Sequence, residues 1–121
     1  MPSYNFKTWK AAKVKSGESR QTIRPVRSRP TVPGDILYLY HGQRTKSCEL
    51  LRTETCKSVE PVHFARSSLI TFIFVGGRLL PWSEVEDLAK ADGFENSTPF
   101  IDFFVQHYGI PNSRPLELIK W

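Results

Sequence analysis

The chain has 121 residues, with 17 Lys and Arg against 12 Asp and Glu and a net charge of +5. This length fits one domain, residues 1–121, which is long enough to bury roughly two thirds of its unfolded surface without metals or disulfides, and no second domain is expected. The longest apolar run, residues 69–75, is too short to span a bilayer, and the N-terminus has lysines but no apolar leader. We therefore expect a cytoplasmic protein that does not insert into membranes.

The positive charge is concentrated in the first half of the chain. Residues 1–57 hold 12 Lys and Arg against 4 Asp and Glu, whereas residues 58–121 hold 5 against 8. An excess of this size steers polyanions such as nucleic acids or nucleotides toward a surface. The basic half is therefore the candidate binding half, although an ordinary solvated basic face would give the same count.

The first predicted element is a short helix over Phe6–Ser16, with apolar residues at approximate helical spacing and Gly17 as a C-terminal cap. Its exposed side is predicted to carry Lys7, Lys10, Lys13 and Lys15, which also compensate the helix dipole. The next segment is read as a loop, and its arginines must face water or a ligand. It is interpreted as one wall of an anion-facing cleft containing Arg20, Arg24, Arg27 and Arg29.

Several strands are predicted after this loop. Pro33-Gly34-Asp35 is a turn signal, and Ile36–Tyr40 is apolar enough for a strand buried on both faces. Residues 47–64 are rich in Thr and Val and predict one long or two short strands, which Pro61 breaks or places at an edge. Residues 69–75 form a further strand, and Gly76-Gly77 turns it into a return strand that begins at Arg78.

Two helices and a final strand complete the pattern. Ser83 and Glu86 form a capping box for a helix that ends near Gly93, and Thr98 is the predicted cap of a second helix that ends at Gly109. The buried side of that second helix is predicted to hold Phe100, Phe103, Phe104 and Tyr108. Residues 114–121 should return to the sheet. The order predicts an α+β fold with a strongly bent sheet or small barrel.

The two cysteines predict reduced thiols. Cys48 and Cys56 do not form a CxxC pair, and the N-terminus does not look like a secretory leader. A zinc site from these cysteines with His41 and His63 can be imagined, but the spacing matches no common zinc pattern. We therefore predict no metal and no cofactor.

Together these segments resemble a known family. The sequence SGESRQTIRP, then a basic loop, PGD and an apolar strand, resembles the start of ASCH domains, and EVEDLAKADGF followed by PFIDFFVQHYG resembles their acidic and aromatic elements. The resemblance covers most of the chain, and the overall pattern of motifs is most similar to that of phage and prophage members. It implies a small bent PUA-like β-barrel with an N-terminal helix, two helices before the last strand, and a cleft for RNA, a nucleotide or a modified nucleoside.

Some bacterial ASCH proteins are amidohydrolases that deacylate N4-acetylcytidine with a lysine, a threonine and a glutamate. The resemblance places that threonine on Thr22, the family's arginine on Arg24 and the glutamate on Asp92. The family's lysine falls on Ser19, which cannot act as the base. Lys15, near the end of the first helix, is the candidate to supply the missing amine.

Three functions remain open. The first is binding of RNA or a nucleotide through a basic cleft, with Gln21 and Thr22 on a base edge, the loop arginines on phosphates and Tyr38 or Tyr40 stacking. The full predicted binding set is Ser19, Arg20, Gln21, Thr22, Arg24, Arg27, Arg29, Tyr38, Tyr40 and Arg44. The second is an amidohydrolase or RNA-cleaving enzyme, and the third is a phage factor that binds a host component. Arg24 could instead brace the fold against Asp92 or Asp35.

Overall fold

The structure, a computed structural model, describes residues 2–112 and 114–121, which form three helices and two β-sheets. The strands are β1 (Ser3–Phe6), β2 (Gln21–Pro25), β3 (Ile36–His41), β4 (Glu49–Thr55), β5 (Ser58–Ser67), β6 (Ile70–Val75), β7 (Arg78–Leu79) and β8 (Leu116–Lys120). The helices are α1 (Thr8–Ser16), α2 (Trp82–Ala91) and α3 (Ser97–Tyr108). The α+β prediction is confirmed, with one helix near the N-terminus and two before the last strand.

The strands of the described residues form two separate sheets and no closed barrel. The three-stranded sheet has the order β1-β3-β4, with β1 parallel to β3. The five-stranded sheet has the order β2-β8-β5-β6-β7 and is antiparallel throughout. Strands β1 and β2 are therefore both edge strands, and this arrangement positions the site described below.

Two apolar clusters pack on opposite faces of the five-stranded sheet, because successive side chains of a strand point to opposite faces. On one face, Leu116 and Leu118 of β8 pack with α2 and α3 residues such as Phe100 and Phe104. On the other face, Ile119 and Trp121 pack against the three-stranded sheet and α1.

The residues at turns and helix ends confirm part of the predictions made from the sequence. Gly17 ends α1 with φ 84° and donates its N–H to Val14 O. Gly76 and Gly77 form the turn that connects β6 to β7. Residues 47–64 form two strands in different sheets. Pro61 lies inside β5 and does not break it, because it pairs only with β8 and the pairing with β6 begins at Val62.

The predicted caps of the last two helices are wrong. Helix α2 begins at Trp82 after Pro81 and has no side-chain cap. Glu86 does not close a box with Ser83, because its carboxylate accepts the N–H of Ser97. Helix α3 begins before Thr98, and its cap is Asn96, whose side chain accepts the Thr98 N–H at 2.9 Å.

Two strands were missed. Phe6, predicted to begin the first helix, lies in β1, and α1 begins at Thr8. The stretch Gln21–Pro25, predicted to be a solvent-facing loop, is β2, with its first three side chains buried. Its polar residues do not predict a strand. The segment is a strand because β8 pairs with it along its whole length.

Candidate functional site

A small cavity lies between the free edges of the two sheets. Its lining includes Asn5 and Phe6 of β1 and Thr22 and Arg24 of β2, while α1 and α3 close its sides. Its volume is about 150 Å³. An apolar cavity of about that size holds a benzene-sized molecule, so one six-membered ring fits here.

A buried lysine and a buried aspartate meet at this cavity. Lys10 Nζ lies 3.2 Å from Asp92 Oδ1 and also donates to Gln21 O at 2.9 Å. Gln21 Nε2 donates weakly to the same Asp92 oxygen at 3.5 Å. Only 6% of Lys10 and 4% of Asp92 are exposed, so the pair is removed from bulk water.

The close approach of α1 to the end of α2 brings this pair together. Gly93 follows Asp92 with φ 96°, a conformation that favours glycine. A Cβ at this position would lie 3.4 Å from the Trp9 ring and 3.7 Å from Lys10. Lys13 Nζ donates to Gly93 O at 2.8 Å and holds the same junction. The acidic-Gly-Phe element therefore fixes the carboxylate against α1.

Burial shifts both partners toward their neutral forms. It lowers the pKa of Lys10, and the nearby Asp92 carboxylate acts in the opposite direction. It also raises the pKa of Asp92, against the stabilising effects of Lys10 and the Gln21 hydrogen bond. The two shifts bring the pKa values closer together, so moving a proton from Lys10 to Asp92 costs less than in water.

Thr22 and Arg24 form a second polar element of the cavity. Arg24 Nε donates to Thr22 Oγ1 at 2.9 Å, and its Nη2 donates to Asn5 O at 2.6 Å. The guanidinium lies 5.0 Å from the centre of the Phe6 ring and 5.6 Å from that of Tyr4. Burial lowers the pKa of Arg24, but a guanidinium remains protonated at any physiological pH. Arg24 therefore places a fixed positive charge beside the Thr22 hydroxyl.

Aromatic side chains make up much of the remaining lining. Trp9 of α1 packs on Phe94 with 4.8 Å between ring centres, and Phe103 stacks with His107 at 4.1 Å. His107 and Tyr108 line the cavity on the α3 side. The α3 aromatics were predicted to be core, and Phe100 is fully buried, whereas Phe103 and Tyr108 are half-buried and contact the cavity.

Four predicted residues of the helix end and the following segment lie outside the cavity lining, and one of them is Gln21, whose contacts with Lys10 and Asp92 are given above. Lys15 is exposed and pairs with Glu49 at 2.6 Å, so it does not supply the amine to this cavity. Ser19 is buried and donates its hydroxyl to Ala91 O at 3.1 Å. Arg20 donates to Trp121 O at 3.2 Å.

The other predicted binding residues are dispersed. Arg27 and Arg29 line a separate cavity of about 300 Å³ with Asp35. Tyr38 and Tyr40 alternate with the fully buried Leu37 and Leu39, so they lie on the opposite face of the three-stranded sheet. Arg44 is an exposed residue with φ 65° in the turn after β3. The arginine segment is therefore not one continuous wall of a cleft.

The imagined zinc site does not form. Cys48 is exposed, whereas Cys56 is buried in the apolar cluster around β3 and its thiol contacts Ser58 O at 3.6 Å. Across residues 2–112 and 114–121, no group of three or more His, Cys, Asp or Glu side chains gathers at one point. No helix of that same part of the chain is both long and apolar enough to cross a membrane.

Lys10 is the residue that sequence reasoning missed. It was counted among the solvated lysines of the first helix, although it is buried among Phe6, Asp92 and Gln21 O. One signal in the sequence could have found it. Lys10 lies four residues before Val14, and residues at this spacing share one face of a helix, so Lys10 belongs to the same side as an apolar residue. Trp9, Phe94 and His107 were also not expected at a site.

No family model matches the chain, and neither a curated protein nor a solved structure matches it.

Proposed function

We propose that the chain is an ASCH-like domain that hydrolyses the acylamide of an N4-acylated cytidine-type nucleoside in the cavity between its sheets. The observation that carries this proposal is the contact of Lys10 Nζ with Asp92 Oδ1 at 3.2 Å in the cavity that Thr22 and Arg24 also line. The resemblance to ASCH domains places Thr22, Arg24 and Asp92 at the family's functional positions, and on this proposal Lys10 supplies the amine that Ser19 cannot. On this proposal the two sheets correspond to a PUA-like barrel that is open between β1 and β2.

The Lys10 and Asp92 pair can act as both base and acid. In its neutral form the pair carries one proton on Asp92, and Lys10 can accept the proton of the Thr22 hydroxyl as Thr22 Oγ attacks the acyl carbon. Asp92 then gives its proton to the departing ring amine as the carbon–nitrogen bond breaks. The pair is left as an ion pair, and transfer of one proton from Lys10 to Asp92 restores its starting form.

The acyl group is then released by water. Lys10 accepts a proton from a water molecule that attacks the ester on Thr22, and Asp92 returns a proton to Thr22 Oγ. The net reaction adds one water to the amide and gives a free amine and a carboxylic acid. Arg24 stabilises the oxyanion in both steps, because its charge is already in place beside Thr22.

The size and lining of the cavity favour a pyrimidine base. A volume of about 150 Å³ accommodates one ring, and the Trp9, Phe94 and His107 rings offer faces and edges for packing against it.

Binding of RNA or a nucleotide without turnover is the second candidate. It is favoured by the half-buried guanidinium of Arg24 and by Lys7, an exposed cation that lines the same cavity. A phosphate next to the base would then contact these two groups. This candidate requires no proton transfer by Lys10.

One experiment separates the two candidates. The wild-type protein is incubated with N4-acetylcytidine, and the release of cytidine is followed by chromatography. We expect turnover that Thr22→Ala reduces at least a hundredfold and that Thr55→Ala, an exposed strand control, leaves unchanged. Calorimetric binding of the nucleoside without product supports the second candidate. Product formation that Thr22→Ala does not alter contradicts the proposed mechanism.

A further inference from the structure

We propose that the face of the three-stranded sheet that points away from the apolar core binds single-stranded nucleic acid by stacking bases on Tyr38 and Tyr40. This surface, the outer face, shares one residue, Asn5, with the lining of the cavity that holds Lys10 and Asp92, and its two tyrosines do not line that cavity. It comprises the described residues Ser3, Asn5, Ile36, Tyr38, Tyr40, Leu50, Thr53 and Thr55.

The outer face follows from the alternation of side chains along β3, in which successive residues point to opposite sides of the sheet. Leu37 and Leu39 of β3 are fully buried against α1 and β8, so the tyrosines between and after them point the other way. The β4 neighbours show the same division, because Arg52 and Glu54 are half-buried whereas Thr53 and Thr55 are exposed. No described helix or strand packs an apolar cluster on this side.

The two tyrosines occupy the centre of this surface. They lie on the middle strand, with Ser3 and Asn5 of β1 beside them on one side and Thr53 and Leu50 of β4 on the other. Two positions along a strand place their backbones about 6.6 Å apart. Aromatic rings on an open sheet are a common platform for the bases of single strands, and such stacking tolerates any sequence.

The surrounding charges favour a polyanion. Arg44 and Lys46 lie in the turn beyond Tyr40, and Arg29 lies near the other end, where it lines a cavity with Ile36. None of the described outer-face residues carries a carboxylate. The nearest acidic side chain along β3, Asp35, accepts the N–H of Val32 at 3.0 Å and lines the same cavity as Arg27 and Arg29, which offset its charge. A strand laid across the tyrosines would thus have cationic groups near its phosphates at both ends.

The affinity of a short fluorescein-labelled oligouridylate, measured by fluorescence anisotropy at low salt, tests this proposal. We expect Tyr38→Ala and Tyr40→Ala each to weaken binding at least fivefold, which is the lower end of the effect of removing one stacked ring. Tyr38→Phe, which keeps the ring, and Thr53→Ala, on the same face, should bind as the wild type does. Affinity should also fall steeply as salt rises.

Cross-linking provides a second readout that needs no substitution. With 4-thiouridine in the oligonucleotide, we expect ultraviolet light to attach it to the peptide that contains residues 36–41. Absence of binding at low salt, alanine variants that bind like the wild type, or cross-links confined to residues 20–29 would each overturn the proposal. Turnover of N4-acetylcytidine by the tyrosine variants should be unchanged, so this result and that of the proposed function can be distinguished.

Discussion

Lys10 Nζ and Asp92 Oδ1 are 3.2 Å apart, although 82 residues separate them along the chain. Their contact joins the first helix to the end of the second and lies at a cavity. Burying two opposite charges costs about as much as their attraction returns, so such a pair is weak evidence for stability. Buried titratable groups with shifted pKa values at a cavity are instead typical of functional sites.

The first prediction concerns which lysine acts in the reaction. We expect Lys10→Met to lower kcat/KM for N4-acetylcytidine by about 100- to 10,000-fold, the range for loss of a general acid or base. Lys15→Met is the matched control, because Lys15 is on the same helix but exposed and paired with Glu49. Equal activity of the two variants would show that Lys10 takes no part.

The second prediction concerns the stability of the buried pair. Lys10→Met leaves Asp92 without its cation and should lower the free energy of unfolding by about 3–5 kcal/mol. The double variant Lys10→Met/Asp92→Asn removes both charges and keeps an acceptor for Gln21, so it should recover most of that loss. Urea unfolding of the three proteins measures this, and a double variant no more stable than the single one would contradict it.

The third prediction concerns pH. Between the ordinary pKa of 3.8 for aspartate and the raised pKa of Asp92, the folded state binds more protons than the unfolded chain, so stability falls as pH rises. Between the lowered pKa of Lys10 and the ordinary value of 10.5, the unfolded chain binds more protons, so stability rises with pH. Relative to Lys10→Met/Asp92→Asn, the wild type should therefore show a stability minimum between these limits. A maximum there would mean that the pair acts as a net stabilising salt bridge.

The fourth prediction moves the lysine to the position at which the ASCH resemblance expects it. Ser19 donates to Ala91 O, next to Asp92, and Lys10→Ala would open space beside that carboxylate. The double variant Lys10→Ala/Ser19→Lys should regain at least tenfold activity over Lys10→Ala alone. Ser19→Lys in the wild-type background lacks that space and should lower Tm without raising the rate. No recovery in a folded double variant would show that position 19 does not reach the site.

The elements that sequence reasoning predicted correctly carry local signals. Gly76 and Gly77 indicate a hairpin turn, and Gly17 indicates the end of α1. All three have positive φ angles, which glycine adopts most readily, so the residue type itself marks the position. The aromatic spacing of α3 likewise predicted a helix with Phe100 and Phe104 buried. These features needed no knowledge of distant contacts.

The elements that were missed depend on distant partners. Strand β2 is polar at Gln21, Thr22 and Arg24 and becomes a strand through its pairing with β8, about 95 residues later in the sequence. Lys10 resembles the other lysines of α1 until Asp92 is placed beside it. The predicted positions of Thr22, Arg24 and Asp92 do meet at one cavity, whereas Lys15, Arg27 and Tyr38 do not line it.

The hydrogen bond from Arg24 Nη2 to Asn5 O occupies a β1 carbonyl with a side chain of β2, at a point where backbone pairing of β1 with β2 would join the two sheets. If the backbones of β1 and β2 paired there, they would occupy the space between the two sheets in which the cavity lies. Arg24 therefore links two edge strands whose backbones do not pair with each other, and the same side chain lines the cavity between them. Shortening this residue should therefore loosen the connection between the two sheets as well as remove a charge from the cavity.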